Sequence, residues 1–185
     1  MGRQKPIQLV PMLGLIFVVV VTYALLFGWM SQSGEAARLP QAVNQWRPQV
    51  IEQMDEQGLS REWIDLLMAQ LMQESGGREI DLFQCSESKY GVPGMIHSEE
   101  ESIEQAVFYW IKLIHRAQEI QVAPSPENLL QAYNMGIGYL DYLWIRKSDT
   151  TEDIARTFSA EVLGGGGDPR YVAHVLRYLE RARKQ

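Results

Sequence analysis

The sequence holds a single cysteine, Cys85, among 185 residues. No internal disulfide can form, and a zinc site built on several cysteines is excluded. Cys85 itself reads as a small buried residue. Positive charge is also scarce: 17 Lys and Arg stand against 23 Asp and Glu, a formal net charge of -6. Phosphate backbones are held by clustered Lys and Arg, so this balance argues against nucleic acid as a partner. The three histidines, His97, His115 and His174, lack metal-ligand spacing. The four glycines at 164–167 follow no strand pattern and precede no G-K-[ST]. They therefore read as a flexible connector rather than a phosphate-binding loop. No segment shows sustained alternation of apolar and polar residues, no repeat recurs, and no cofactor is implied.

What is present begins with Leu9 to Met30, 22 residues without a charge. A membrane-spanning helix needs about 20 apolar residues. Arg3 and Lys5 precede the run, and the positive-inside rule keeps them in the cytoplasm. A cleaved signal peptide is the competing reading, but its apolar region is usually about 7–15 residues and no clear A-x-A site follows here. The expected organisation is a cytoplasmic tail over 1–8, a transmembrane anchor over 9–30, a linker over 31–40 and one domain over 41–185. That organisation is single-pass, with the domain on the extracytoplasmic side of the cell membrane. Without Arg3 and Lys5 the chain keeps 15 basic against 23 acidic residues.

The domain reads as mainly α. Val43, Trp46, Val50, Ile51 and Met54 mark a first helix whose start Pro48 delays. Ser60 can cap a second helix running to about Ser75. Residues 77–97 read as irregular, with a short strand near Leu82. Ser98 and Glu101 have capping-box spacing, and Ile103, Val107, Trp110, Ile111 and Ile114 share a face of the helix that follows, to about Glu119. Ser125 with Pro126 opens a helix that stops near Gly136. Thr150 fits as the cap before Ile154, and Asp168 with Pro169 starts the last helix. Tyr139, Tyr142 and Trp144 read as core aromatics.

The segment "AQLMQESGGREIDLFQCSES" carries the chemistry. At 100° per residue Trp63, Leu67, Leu71 and Glu74 share one side of the second helix. Glu74 therefore leaves an apolar wall. Such surroundings raise a carboxyl pKa, as a general acid near neutral pH requires. The competing reading is a surface Glu at a frayed helix end. Gly76 and Gly77 would leave room for a ligand, and Asp81 would offer a second carboxylate. Gln84, Ser86 and Glu87 cluster hydrogen-bonding groups suited to sugar hydroxyls and amides. Paired carboxylates are the usual equipment of glycoside hydrolysis.

"MQESGG", "FQCSES", "QAYNMGIGYLDYL" and "GGGGDPRYVAHVLRYLE", in this order, resemble the bacterial lysozyme-like (muramidase) domain family of cell-wall hydrolases. That family is related to goose-type lysozymes and soluble lytic transglycosylases. The resemblance covers about residues 41–180 and implies a lysozyme-like helical domain acting on peptidoglycan glycan strands. It matches Glu74 to the general acid. Gln84 matches a cleft glutamine, Tyr133 and Asn134 the pair bounding the sugar site, and Tyr171 a late cleft aromatic. Ser75, beside the acid, with Ser86 and Glu87, completes the expected sugar-binding set. Asp81 stands where the transglycosylases usually have Gly. It is the candidate to position water for hydrolysis, with Glu87 as runner-up. Three functions remain: a muramidase, a lytic transglycosylase forming anhydro sugars, and a non-catalytic wall-binding or assembly scaffold. An anchored single domain also fits local wall opening at a secretion or conjugation machine.

Overall fold

The chain enters its fold at Leu39, which is buried, and turns at once into α1 (Gln41–Asn44). This computed structural model describes residues 38–184. The expected tail, the expected membrane span and most of the expected linker lie outside the described residues. Among the described residues, no helix is long and apolar enough to cross a membrane.

α2 (Arg47–Gln57) begins where Pro48 falls in the first turn, the position at which a missing N–H does no harm. Val43 lies before it, on the separate α1. Ser60 accepts the N–H of Glu62 and opens a 3-10 turn, Arg61–Trp63, that feeds α3 (Ile64–Glu74). The expected strand near Leu82 is not formed; there is no strand among the described residues. Leu82 and Phe83 are nonetheless fully buried. The short helix α4 (Ser86–Tyr90) interrupts what the sequence presents as an irregular stretch.

α5 (Glu99–Glu119) starts at Ser98, whose hydroxyl accepts the N–H of Glu101 at 3.1 Å. α6 (Pro126–Met135) starts at Ser125, which accepts the N–H of Asn128 at 3.2 Å. α7 (Gly138–Arg146) follows, then α8 (Glu152–Glu161). The cap of α8 is Thr151, not Thr150: Thr151 accepts the N–H of Ile154, while the Thr150 N–H is tied to Asn128. α9 (Tyr171–Ala182) starts later than the Asp168-Pro169 signal implies. Asp168 accepts the N–H of Arg170 and shapes a lead-in turn instead.

α9 lies along α3 and α2 lies along α5, with α6 against α5, α7 and α9. The core includes Leu67, Leu71, Trp110, Leu113, Leu129 and Leu130, all fully buried. Each such side chain contributes roughly 1.5–3 kcal/mol over its exposed state. Tyr139 is buried and Tyr142 half-buried, both packed on Phe158. Trp144 departs from the core expectation: it is 58% exposed.

Candidate active site

The C-terminal end of α3, the loop before α4, the end of α6 and the glycine stretch before α9 enclose a cavity of about 670 Å³. Glu74, Asp81, Gln84, Ser86, Glu87, Tyr133 and Asn134 all reach its wall. Two residues expected to hold sugar lie off that wall. Ser75 turns away: its hydroxyl donates to the Leu82 carbonyl at 2.8 Å and accepts the N–H of Gly77 at 3.1 Å. It ties the following loop to the helix end. Tyr171 is buried behind the acid, and its hydroxyl donates to Glu74 Oε1.

Glu74 is half-buried at the last turn of α3. Burial pushes its carboxyl up, the hydrogen bond from Tyr171 pulls it down, and the charge of Asp81 pushes it up again, to about 7. Asp81 goes the other way. Burial opposes its ionisation, but hydrogen bonds from Cys85, Ser86 and Ser102 outweigh burial and hold it below the ordinary carboxylate range. Two carboxyl groups at one cavity thus differ in protonation near neutral pH, the arrangement that separates an acid from an anion.

The bonding of Asp81 explains its state. Oδ1 accepts the Cys85 N–H at 3.0 Å and the Ser102 hydroxyl at 2.8 Å. Oδ2 accepts the Ser86 N–H at 3.0 Å and the Ser86 hydroxyl at 2.7 Å. A carboxylate offers about four lone-pair sites, so all are taken. Asp81 closes the N-terminus of α4 and pins it to α5. Ser86 extends the bracket by accepting the N–H groups of Met95 and Ile96, both at 3.2 Å.

Gln84 is exposed and holds a left-handed backbone, φ 48, uncommon for a residue with a side chain. Its amide donates to Glu79 at 3.0 Å and to the Asp81 carbonyl at 2.9 Å. Glu87 is exposed on the first turn of α4. Tyr133 donates to the Phe83 carbonyl at 3.1 Å, and Asn134 accepts the Asp168 N–H at 2.7 Å.

Several wall elements were not expected from sequence, Tyr109, Gly166, Gly167 and Cys85 among them. Tyr109, on α5, lines the cavity and packs edge-on against Tyr133 at 5.4 Å. No periodicity separates it from the other buried residues of that helix. Gly166 and Gly167, read as connector, form wall: a Cβ at Gly167 would stand 2.9 Å from Met135 Cγ. Cys85 also touches the cavity; it is 2% exposed, and burial pushes its thiol up to about 12, leaving it unreactive.

The glycines after Glu74 also change meaning. A Cβ on Gly77 would stand 2.1 Å from the Ala42 carbonyl oxygen. Gly77, with φ 75, lets α1 close on the end of α3, and Trp46 donates to its carbonyl at 3.3 Å. Gly77 is a packing requirement rather than ligand space. Among the described residues, no group of three or more His, Cys, Asp or Glu is arranged to hold a metal ion.

Comparison with known proteins places the chain among them as follows. The family described as lysozyme-like matches residues 40–179. A Bacillus subtilis protein named bifunctional muramidase/DL-endopeptidase CwlT is 37% identical over 126 residues, 65% of this chain and 37% of that protein. The uncharacterized membrane protein YocA of Bacillus subtilis is 27% identical over 155 residues, 80% of this chain and 68% of that protein. The crystal structure of a Staphylococcus aureus protein of the NLP/P60 family, described as similar to lipoprotein, superposes with a TM-score of 0.71 at 30% identity. It covers 77% of this chain and 54% of that one. The chain thus spans little over a third of CwlT and about half of the solved structure.

Proposed function

Given that the chain belongs to the lysozyme-like family, we propose that it cleaves peptidoglycan glycan strands. The bond is the β-1,4 link between N-acetylmuramic acid and N-acetylglucosamine. One observation carries the reading: Glu74 stands on a cavity wall with its carboxyl raised to about 7, so it holds a proton where a glycan would lie. The name of the CwlT relative, a muramidase and an endopeptidase in one, supports the first of those two activities for a chain with a lysozyme-like match.

In this mechanism Glu74 protonates the leaving oxygen. Asp81, held as an anion, supplies negative charge to the oxocarbenium-like transition state. Gln84, Glu87, Tyr133 and Asn134 contact the sugars, with Ser86 as the fixed base of that wall. Tyr171 and Ser75 act from behind, on the acid and the loop.

The product depends on what Asp81 can still accept. Positioning water for hydrolysis requires a serine hydroxyl, Ser86 or Ser102, to turn away and free a lone pair. The filled lone pairs of Asp81 favour a second reading: the substrate's own N-acetyl group and 6-hydroxyl complete the reaction and leave an anhydro end. Incubating the protein with peptidoglycan and weighing the released muropeptides separates the readings. Reducing ends support hydrolysis and anhydro ends support transglycosylation. No release supports a scaffold that keeps the cleft without activity, and overturns the enzyme.

The proposal includes an anchor over residues 9–30, with the domain outside the cell membrane. Its support is the uncharged run and the preceding Arg3 and Lys5. The membrane protein YocA is consistent with it. A domain so tethered reaches only nearby wall, which suits local opening for a secretion or conjugation machine. Fractionation tests the anchor: recovery in the medium rather than the membrane pellet defeats it.

A further inference from the structure

Behind the acid runs a file of buried polar groups that cleavage chemistry does not touch. The Trp110 indole N–H donates to Gln70 Oε1 at 2.7 Å. Gln70 Nε2 donates to the Tyr171 hydroxyl at 3.0 Å. Tyr171 then donates to Glu74 Oε1. Gln70 and Trp110 are fully buried and Tyr171 is 3% exposed.

The direction of this file is forced. An indole nitrogen only donates, so Gln70 must turn its oxygen to Trp110 and its amide hydrogens to Tyr171. The Tyr171 oxygen is then an acceptor on that side, and its single proton is left for Glu74. We infer that Trp110 and Gln70 are positioning residues that aim the Tyr171 hydroxyl proton at Oε1 of Glu74, so that the acid carries its own proton on Oε2. Without Trp110 the Gln70 amide is free to turn over. Its oxygen then competes for the Tyr171 proton, and the Glu74 carboxylate loses a donor.

This inference rests on the reading of Glu74 as the acid, but its test does not need activity. The titratable groups around Glu74 are Asp81 and Cys85 in the loop, Glu87 on α4, Tyr109 on α5, Tyr133 on α6, and Tyr171 with Asp168 beyond it. Trp110→Phe and Gln70→Met alter none of them. Trp110→Phe frees the Gln70 amide to turn and take the Tyr171 proton, and loss of that hydrogen bond to the charged form raises a carboxyl pKa by about one unit. Gln70→Met brings no competing oxygen and leaves the proton on Glu74.

The experiment is a ¹³C NMR titration of the Glu74 carboxyl in the full-length protein and both variants. The midpoint is expected to stay near the wild-type value in Gln70→Met and to rise by about one unit in Trp110→Phe. The alkaline limb of muropeptide release should move up with it, while the maximal rate falls up to about tenfold. A midpoint unchanged in folded Trp110→Phe, or raised as far in Gln70→Met, overturns the inference. If Trp110→Phe fails to fold, neutron diffraction of the wild-type protein decides. Deuterium on the Tyr171 oxygen directed at Glu74 supports the inference, and deuterium directed at Gln70 overturns it. Should Glu74→Gln keep full activity, the assignment of the acid fails while the titration result stands.

Discussion

Replacing Asp81 by Asn tests whether this residue is a capping anion or only a holder of water. The amide keeps one acceptor oxygen. Turned toward Ser86, that oxygen retains both bonds there, and the NH2 faces the Cys85 N–H and the Ser102 hydroxyl. The hydroxyl can rotate to accept; the Cys85 N–H cannot. One buried donor without a partner costs about 1–3 kcal/mol. The opposite orientation strands the Ser86 N–H in the same way. The surviving bonds lose their charge assistance, about 1 kcal/mol more. The expected loss is about 2–4 kcal/mol, a large share of the roughly 5–15 kcal/mol of a typical domain. At about 2–4 °C per kcal/mol, the unfolding midpoint at pH 7 should fall by about 5–15 °C.

Circular dichroism at several pH values checks both the size and the sign. Asp81 has a lowered pKa in the folded protein, so its contribution is present above its ordinary value of 3.8 and is lost as pH falls through the lowered one. The gap between wild type and variant must therefore close in acid. The same substitution removes a charge that raises Glu74, so the alkaline limb of activity should move to lower pH. A midpoint at pH 7 within about 2 °C of wild type would refute the capping account.

Glu74→Gln should lower muropeptide release by about 100-fold or more, read as the initial rate at pH 6. The same variant should be more stable at alkaline pH. Glu74 is raised from 4.5 to about 7, so its neutral form suits the fold and stability is lost as pH rises through that range. The ceiling is about 3 kcal/mol; partial exposure of the carboxyl reduces it to about 1–2 kcal/mol, measured by urea unfolding at pH 8, with no difference at pH 4. Wild-type activity should decline above pH 7 as Glu74 ionises, and a profile still rising at pH 9 would contradict the acid assignment. Gly77→Ala should destabilise by about 3 kcal/mol or more through its clash with the Ala42 carbonyl, and Gly76→Ala by only about 1 kcal/mol, since open space surrounds it. Equal melting points for the two variants would defeat that distinction.

Helices and their starts were legible because their signals are local. Ser60, Ser98 and Ser125 each sit beside the N–H they accept, within three residues in sequence. Glu74 was legible because a carboxylate on an apolar helix face is itself a local pattern. The misread positions depend on distant partners. Ser75 and Gly77 differ in role because of Leu82 and Ala42, which no spacing rule connects to them. Asp81 reads equally well as free or engaged until Ser102, 21 residues away, is seen bonded to it. Gly166 and Gly167 become wall only because α6 ends beside them. Trp144 follows its neighbours in hydropathy but falls on the outer side of α7.

Glu74 and the hydroxyl that holds it are 97 residues apart, on the two helices that pack most extensively against each other. In the proposed function the acid is therefore synthesised early and completed late. Without α9 packed on α3, Glu74 would lose part of the burial that raises its carboxyl and would be a poorer donor to a sugar oxygen at neutrality. If the protein cuts glycan as proposed, that activity is coupled to completion of the fold. A chain that stopped before α9 would then carry every cleft residue of α3 to α6 without the support that makes Glu74 an acid.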